Sequence, residues 1–517
     1  MLKTDRNSIL LSELTSEWIN IPAEYDKLIT GLSLDSRTTK PGDLFFALPG
    51  TKTDGAEFII SAKNNGAVAV LLHSNNKEEQ PFQLLGKEFK KNSVKIDPEF
   101  PIIPVFQLTE KVGKIASKFY GDPSEKMNVI GVTGTSGKTS ITQFIANTLS
   151  MADQPAGVIG TLGYGLAGQL QPGDLTSPDA ITIQKELAEL YALGAHHVAI
   201  EASSHGLIQS RLNGVLFNIG IFSNLTRDHL DYHQTMSDYA HAKHLLFEQP
   251  NMQYAIFNLD DNYGLQWANE LKEKLIVYGV TFDSNHIHHK TIPHIICAEK
   301  IHINENGLTA SIITPWGDGL LTSKLLGRFN LINLLAVVAT LGILKIPFEN
   351  IIKYIAQLSS LPGRMQTLGG GIQPLIVIDY AHKPDALANV LQTLREYCTG
   401  KLWCVFGCGG DRDRGKRPIM GGIATTYADE IILTDDNPRE ESPQQIIADI
   451  VSGIANPKQI IIEHDRARAI EHVLACAKAG DIVLIAGKGH ETYQTIGKEK
   501  KPFSDLMQVK ICLANKE

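Results

Sequence analysis

The chain has 517 residues, enough for roughly three or four domains at the usual domain size rather than one core. Its 43% hydrophobic and 20% charged residues, with 44 Gly and 23 Pro, are globular usage and exclude a collagen-like, coiled-coil or largely disordered protein. With 48 Lys and Arg against 56 Asp and Glu, the net charge is -8 at pH 7; no global basic field exists to hold nucleic acid or an anionic membrane, and phosphate chemistry has to use local cation clusters.

The N-terminal MLKTDRNSILLSELTSEW has neither the basic start nor the unbroken apolar core of a secretory peptide. Residues 1–107 then hold short strand-like runs, LFFAL (44–48) and AVAVLL (67–72), broken by turns such as Lys40-Pro41-Gly42-Asp43, as in a small α/β domain. From 108 to 360 the alternations lengthen: NVIGV (128–132), HHVAIEAS (196–203), FNIGIFSNL (217–225) and YAIFNLDD (254–261). Continuous apolar strands alternating with helices predict a parallel sheet covered on both faces. The run Leu331–Leu344, interrupted by Asn333 and Thr340, is too short and too polar for a bilayer and predicts a buried helix. From 361 to 517 one pattern repeats four times, a β-run with a polar tip and then a helix, in LIVIDYAHKPDA (375–386), LWCVFGCGGDRDRGKRP (402–418), EIILTDDNPRE (430–440) and DIVLIAGKGHE (481–491). Ligands of open parallel sheets sit beyond the carboxyl ends of the strands, so the four tips are expected to face one crevice.

The sharpest local signal is Gly131-Val-Thr-Gly134-Thr135-Ser136-Gly137-Lys138-Thr139-Ser140, directly after an apolar strand and before the helix ITQFIANTL. Glycines there let backbone N–H groups wrap phosphate oxygens, Lys138 neutralises the β and γ phosphates, and the Thr139 hydroxyl is a Mg²⁺ ligand. Val132 stands where the common pattern has glycine, so the loop is a variant. Glu201 ends the next strand, where a carboxylate faces the same loop. Asn224-Leu-Thr-Arg-Asp228-His229-Leu-Asp231-Tyr-His233 follows, and on its own it would also suit a helix cap. His286, His288, His289 and His294 lack Cys or carboxylate partners at ligand spacing and are expected on a solvated edge strand. The six cysteines are scattered without CxxC spacing, fit reduced thiols in a cytoplasmic protein, and in Cys404 and Cys408 fit packing rather than nucleophilic roles.

These motifs together resemble the Mur ligases of peptidoglycan precursor synthesis, which share the phosphate loop with folylpolyglutamate synthetase. Leu34-Asp35-Ser36-Arg37, Pro41-Gly42-Asp43-Leu44-Phe45, Glu201-Ala-Ser-Ser-His205-Gly206-Leu207, the Asn224–His233 stretch, Leu361-Pro362-Gly363-Arg364-Met365, Asp379-Tyr380-Ala381-His382, Asp436-Asn437-Pro438-Arg439 and Gly487-Lys-Gly-His-Glu491 occur in the family's order over nearly the whole chain. The resemblance is to those members that add the third amino acid to UDP-N-acetylmuramoyl-L-alanyl-D-glutamate.

The resemblance implies an α/β protein of three domains: an N-terminal uridine-binding domain (1–107), a central P-loop-type ATPase with a mainly parallel sheet (108–360), and a C-terminal Rossmann-like domain that carries the amino acid (361–517). By the same likeness, Leu34, Ser36, Thr51, Lys52 and Thr53 contact uridine, and Thr176, Ser177, Ser203, Gln209 and Arg211 contact the muramoyl-peptide. Leu175 departs from relatives that carry Asn there. ATP is implied on Gly134–Ser140, with Asn330 or Asn333 at the adenine and Arg364 and Asp379 on phosphate and ribose. Lys243 matches a lysine carried as a carbamate (N6-carboxylysine), an anionic oxygen ligand that, with Thr139, Glu201 and His229, would hold Mg²⁺.

The implied reaction is ATP-dependent amide formation through an acyl phosphate, with Lys138, Glu201, His229 and Lys243 as the catalytic group. Two anions meet in its first step, so cations have to offset their repulsion. The incoming amino acid is read from Asp436-Asn437-Pro438-Arg439: a guanidinium holds a carboxylate in a bidentate fork, which favours meso-2,6-diaminopimelate over L-lysine. Asp436, Asn437 and Arg412 support Arg439, with Pro438 in the same tetrapeptide and Gly487 and Glu491 around the ammonium. The alternatives are an L-lysine-adding ligase of the same family and a folylpolyglutamate synthetase. A cytoplasmic monomer is expected.

Overall fold

The computed structural model describes residues 8–50, 53–76, 99–173, 175–289, 292–304, 307–455 and 460–514. It divides into two compact units, 1–297 with 335–347 and 298–334 with 348–517.

The first unit holds two sheets of three or more strands. The N-terminal one is four-stranded and parallel, in the order Gly31–Ser33, Asp43–Ala47, Ala69–Ser74, Ile102–Phe106. Every residue of Asp43–Ala47 is buried, as a strand covered on both faces requires. The amphipathic helix Leu108–Phe119 presents Leu108, Val112, Ile115 and Phe119 to the same apolar cluster as Leu11, Leu14, Leu44 and Leu71.

The larger sheet of this unit runs parallel through Ala156–Gly160, His197–Glu201, Asn128–Thr133, Ile219–Phe222, Tyr254–Asn258, Ile276–Thr281 and the start of His294–Asn304. Short antiparallel strands, Gly163–Leu166 and Gln169–Gln171, finish one edge. The expected continuous apolar strands are all present, and Asn128–Thr133 lies between His197–Glu201 and Ile219–Phe222. The carboxyl ends of three adjacent strands therefore deliver the phosphate loop, Glu201 and Ser223-Asn224 to one place.

In the second unit the hairpin Gly307–Thr314 and Gly317–Ser323 precedes a six-stranded sheet. Its order is Gln366–Gly369, Leu375–Asp379, Ile482–Ala486, Leu402–Phe406, Glu430–Leu433, Ile460–Ile462, parallel except for the first strand. Helices Pro384–Arg395, Lys416–Tyr427 and Pro443–Val451 follow the first three expected runs. The fourth run departs from the pattern: Ile482–Ala486 leads into an antiparallel hairpin, Tyr493–Ile496 with Glu499–Pro502, before the helix Asp505–Ala514. The helix expected over Leu331–Leu344 spans Arg328–Ile343, and no helix among the described residues is long and apolar enough to cross a membrane.

Candidate active site

The phosphate loop is held from both sides before any ligand is considered. Gly134 has φ 142° and Gly137 φ 88°, both outside the range comfortable for a side chain; a Cβ on Gly134 would lie 2.0 Å from Ser223 Oγ. The loop docks on the neighbouring strand end: Asn224 accepts from Thr135 N through its carbonyl (2.9 Å) and from Ser136 N through Oδ1 (2.9 Å), and Ser223 Oγ donates to Ser136 O. Lys138 opens the helix Lys138–Met151 and donates to the carbonyls of Gly134 (2.9 Å) and Thr135 (3.1 Å). Its ammonium is thus drawn over the loop that the helix N-terminus makes positive.

Glu201, 1% exposed, accepts three hydrogen bonds: Thr139 Oγ1 (3.0 Å) and Thr161 Oγ1 (3.1 Å) on Oε2, and Thr161 N (2.8 Å) on Oε1. A Cβ on Gly160 would come within 2.3 Å of Oε1, so this glycine makes room for the carboxylate. Thr161 carried no signal in the sequence, whereas Thr139 and Glu201 meet as expected.

Lys243, 1% exposed, comes from the helix Met236–His244 and donates to Gly134 O at 2.7 Å, the carbonyl that Lys138 also uses. Its ammonium lies 4.3 Å from the centre of the Tyr239 ring, and Tyr239 Oη is 3.3 Å from Thr135 Oγ1. His229, in left-handed backbone (φ 52°) at the start of Leu230–His233, has a 40% exposed side chain beside Asp228. Its ring stands edge-on to His205 at 4.9 Å, and His205 also meets Tyr232 and His233. Thr139 and Glu201 offer hydroxyl and carboxylate oxygen, the donor chemistry of Mg²⁺. An unmodified ammonium at Lys243 would repel a cation, and a carbamate there would add oxygen instead.

The residues expected at the muramoyl-peptide form one network on the same sheet edge. Ser177 Oγ donates to Glu201 O (2.7 Å) and lies 2.9 Å from Ser203 Oγ, Thr176 Oγ1 is 3.0 Å from Thr161 Oγ1, and Arg211 donates to Ser177 O (3.0 Å) and Gln209 Oε1. Gln209 Nε2 in turn donates to Tyr232 Oη. In the N-terminal sheet, Ser36 is buried with its carbonyl accepting from Asn65 Nδ2 (2.7 Å), Leu34 is half-buried, and Thr53 O closes a turn on Gly50 N. Thr51 and Lys52 lie outside the described residues.

In the second unit the strand tips stand side by side, Gly487 N donating to Asp379 O and Thr434 N to Phe406 O. Asn437 is locked: Nδ2 donates to Glu491 Oε2 (2.9 Å), while Oδ1 accepts from Thr495 N (2.8 Å) and Lys488 Nζ (3.2 Å). Asp436 is buried, which pushes its carboxyl above the usual range. Arg439 adopts φ 53°, bonds Thr495 O and Gly497 N through its backbone, and directs Nη1 to Gly410 O (2.7 Å). Pro438 is buried behind it, and Arg412 stands exposed on the Gly409–Gly415 loop. Arg417, fully buried, forks onto Glu441 (2.7 and 2.8 Å) and reaches Asp449, fixing the segment after Arg439 and holding the Glu441 carboxyl down at about 2.

Asp379 is buried and accepts from Met365 N (2.8 Å); burial raises its carboxyl and the nearby Arg364 opposes that. The Arg364 guanidinium lies over the Tyr380 ring at 5.1 Å. Asn330 and Asn333 are both buried, and Asn330 donates to Leu326 O within its own helix start. The histidine stretch is not an edge strand: Asn285–His289 is a short helix, because Asp283 Oδ1 accepts from Asn285 N and turns the chain. His294 opens the strand His294–Asn304 and stacks on Tyr278, and the side chains of His288 and His289 lie outside the described residues. Cys404 and Cys408 are buried packing residues whose thiols burial pushes up, that of Cys408 to about 11.

Three family models match the chain: the Mur ligase family, catalytic domain over 28–120, the Mur ligase middle domain over 132–341, and the Mur ligase, glutamate ligase domain over 363–489. A UDP-N-acetylmuramoyl-L-alanyl-D-glutamate–2,6-diaminopimelate ligase of Coxiella burnetii is 45% identical over 488 residues, covering 94% of this chain and 96% of that one. The enzyme of the same description from Pseudomonas aeruginosa is 45% identical over 493 residues, 95% and 96% of the two chains. A solved structure of a ligase so described superposes with a TM-score of 0.70 at 35% identity, covering 98% and 99%. With its phosphate loop, its glutamate and its three successive domain matches in order, the chain belongs to the Mur ligase family.

Proposed function

We propose that this chain is the ATP-dependent, ADP-forming ligase that joins meso-2,6-diaminopimelate to UDP-N-acetylmuramoyl-L-alanyl-D-glutamate in peptidoglycan precursor synthesis. One observation carries the choice of amino acid: Arg439 and the Asn437–Glu491 pair are pinned to the same hairpin strand, through Thr495 O and Thr495 N. That arrangement sets a guanidinium for a carboxylate and a carboxylate for an ammonium in one polar tip, the complement of an amino acid with an extra charged end.

The substrate's glutamyl carboxylate attacks the γ-phosphorus of ATP, ADP leaves, and the resulting acyl phosphate loses phosphate to the incoming amine. Lys138 neutralises the phosphates, with the loop N–H groups and Lys138–Met151 helix start adding fixed dipoles at no cost of reorganisation. Thr139, Glu201, His229 and Lys243 as its carbamate are the residues that would hold Mg²⁺. The ion, when bound, would supply charge neutralisation between the carboxylate and the triphosphate. Thr176, Ser177, Ser203, Gln209 and Arg211 would orient the muramoyl-peptide, with uridine on Leu34, Ser36 and Thr51–Thr53. Arg364, Asp379 and Asn333 are assigned to the nucleotide, and Arg412, Asp436, Pro438 and Gly487 to the diaminopimelate pocket. We assign 1–107, 108–360 and 361–517 to uridine, ATP and amino acid; the three successive family matches, over 28–120, 132–341 and 363–489, support a division into three parts. A cytoplasmic location is proposed with it, since both nucleotide substrates are cytoplasmic chemistry.

Incorporation of meso-diaminopimelate and L-lysine by the wild type and Arg439→Ala tests the reading. The wild type should prefer meso-diaminopimelate by at least ~10³-fold in kcat/KM, and the variant should lose that preference. Equal use of both by the wild type, or undiminished diaminopimelate use by the variant, would refute it.

A further inference from the structure

Among the ionisable groups around the Asn437–Glu491 pair, Lys488 makes no approach to solvent: it is fully buried, with its side chain at 0% exposure. Two glycines throw it inward. Gly487 (φ 113°) and Gly489 (φ 54°) flank it, and a Cβ on Gly489 would strike Tyr380 Cβ at 2.7 Å, so the turn can be neither relaxed nor refilled.

The Lys488 ammonium lies 2.9 Å from Glu491 Oε2, 3.2 Å from Asn437 Oδ1 and 3.7 Å from Asp436 Oδ1. An ammonium is only a donor, and so is Thr495 N; Asn437 is therefore compelled to turn its oxygen to both and its Nδ2 to Glu491. Lys488 Nζ and Asn437 Nδ2 both donate to Glu491 Oε2, which fixes the carboxylate plane. A second buried cation acts on the same carboxylates. Arg466, fully buried, forks onto Asp505 at 2.7 and 2.8 Å and acts electrostatically on Asp436 and Glu491.

We infer that Lys488 is a positioning residue for the incoming amino acid: without touching it, the buried ammonium sets the amide face of Asn437 and the plane of Glu491, and so determines how tightly the substrate's ammonium is held. This rests on the reading of the Asn437–Glu491 tip as the amino-acid site.

The test uses the full-length enzyme with Lys488→Met, which keeps the length and apolar stem but removes the charge, and Lys488→Gln as a second variant. KM for meso-diaminopimelate, ATP and the UDP-muramoyl-dipeptide is measured separately, with L-lysine in parallel for the wild type and a thermal unfolding curve for each protein. KM for diaminopimelate should rise at least ~10-fold, the loss of one charge-assisted hydrogen bond, while the other two constants stay within about twofold. A diaminopimelate KM within about twofold of wild type, a parallel rise in all three constants, or failure of both variants to fold would overturn the inference. Wild type that does not use diaminopimelate would instead overturn the reading of the site itself.

Discussion

Glu201→Gln separates the chemistry of the buried carboxylate from its structural work. Oε1 accepts the Thr161 N–H and Oε2 faces two hydroxyls, those of Thr139 and Thr161. A glutamine can keep its oxygen on the N–H and turn its NH₂ to the hydroxyls, which rotate to accept. The substitution should therefore cost at most ~1 kcal/mol of stability. Glu201→Ala strands the Thr161 N–H in a site 1% exposed and opens a cavity, for ~3–5 kcal/mol together. Activity should divide differently. Losing a carboxylate that would hold Mg²⁺ where the triphosphate and the attacking carboxylate meet should lower kcat by ~10²–10³, as loss of a preorganised electrostatic group does. Phosphate release dependent on both UDP-muramoyl-dipeptide and amino acid, measured across a Mg²⁺ titration, should show the low kcat and a higher half-saturating Mg²⁺. Urea unfolding supplies the stabilities. A Glu201→Gln enzyme within tenfold of wild-type kcat, or one as unstable as Glu201→Ala, would refute the reasoning.

With Lys243 carried as the proposed carbamate, Lys243→Ala should lose activity because it would remove an oxygen anion rather than an amine, and added short carboxylates should restore part of it; no rescue, together with an unmodified lysine by mass spectrometry in active wild-type enzyme, would count against the carbamate. Glu186 is buried beside the charges of Glu189 and Asp179, and burial pushes its carboxyl up to about 8. A folded value raised above the unfolded one means stability is full below the unfolded pKa and falls as pH rises toward 8. Glu186→Gln should thus gain ~2 kcal/mol on wild type between pH 5 and pH 8.5 after allowance for partial solvation, and an unchanged difference in urea midpoints across that range would disprove it.

The sequence by itself determined the strand-and-helix alternation and the loop chemistry. Apolar runs such as Asn128–Thr133 and Ile482–Ala486 read as strands buried on both faces, which they are, and the glycines and lysine of Gly134–Thr139 read as a phosphate loop from their spacing alone. It also placed Glu201 at a strand end, and the family resemblance singled out Ser177, Ser203, Gln209 and Arg211 as muramoyl-peptide contacts, while their hydrogen bonds to one another are seen only in the structure. Tertiary structure decided what depends on strand order, which carries no local signal. Because Ala156–Gly160 lies beside His197–Glu201, Thr161 becomes a partner of Glu201, and because Ile219–Phe222 flanks Asn128–Thr133, Asn224 becomes a partner of the phosphate loop. The hairpin after Ile482–Ala486, where a helix was expected, supplies the Thr495 backbone that pins both Asn437 and Arg439. Lys488 shows the limit most clearly: a lysine between two glycines reads as a solvated loop residue, and only burial against Asp436, Asn437 and Glu491 makes it the charge that orders the tip. Residue type and spacing set which groups are available, while the desolvation and distance that give those groups their strength arise only where distant segments meet.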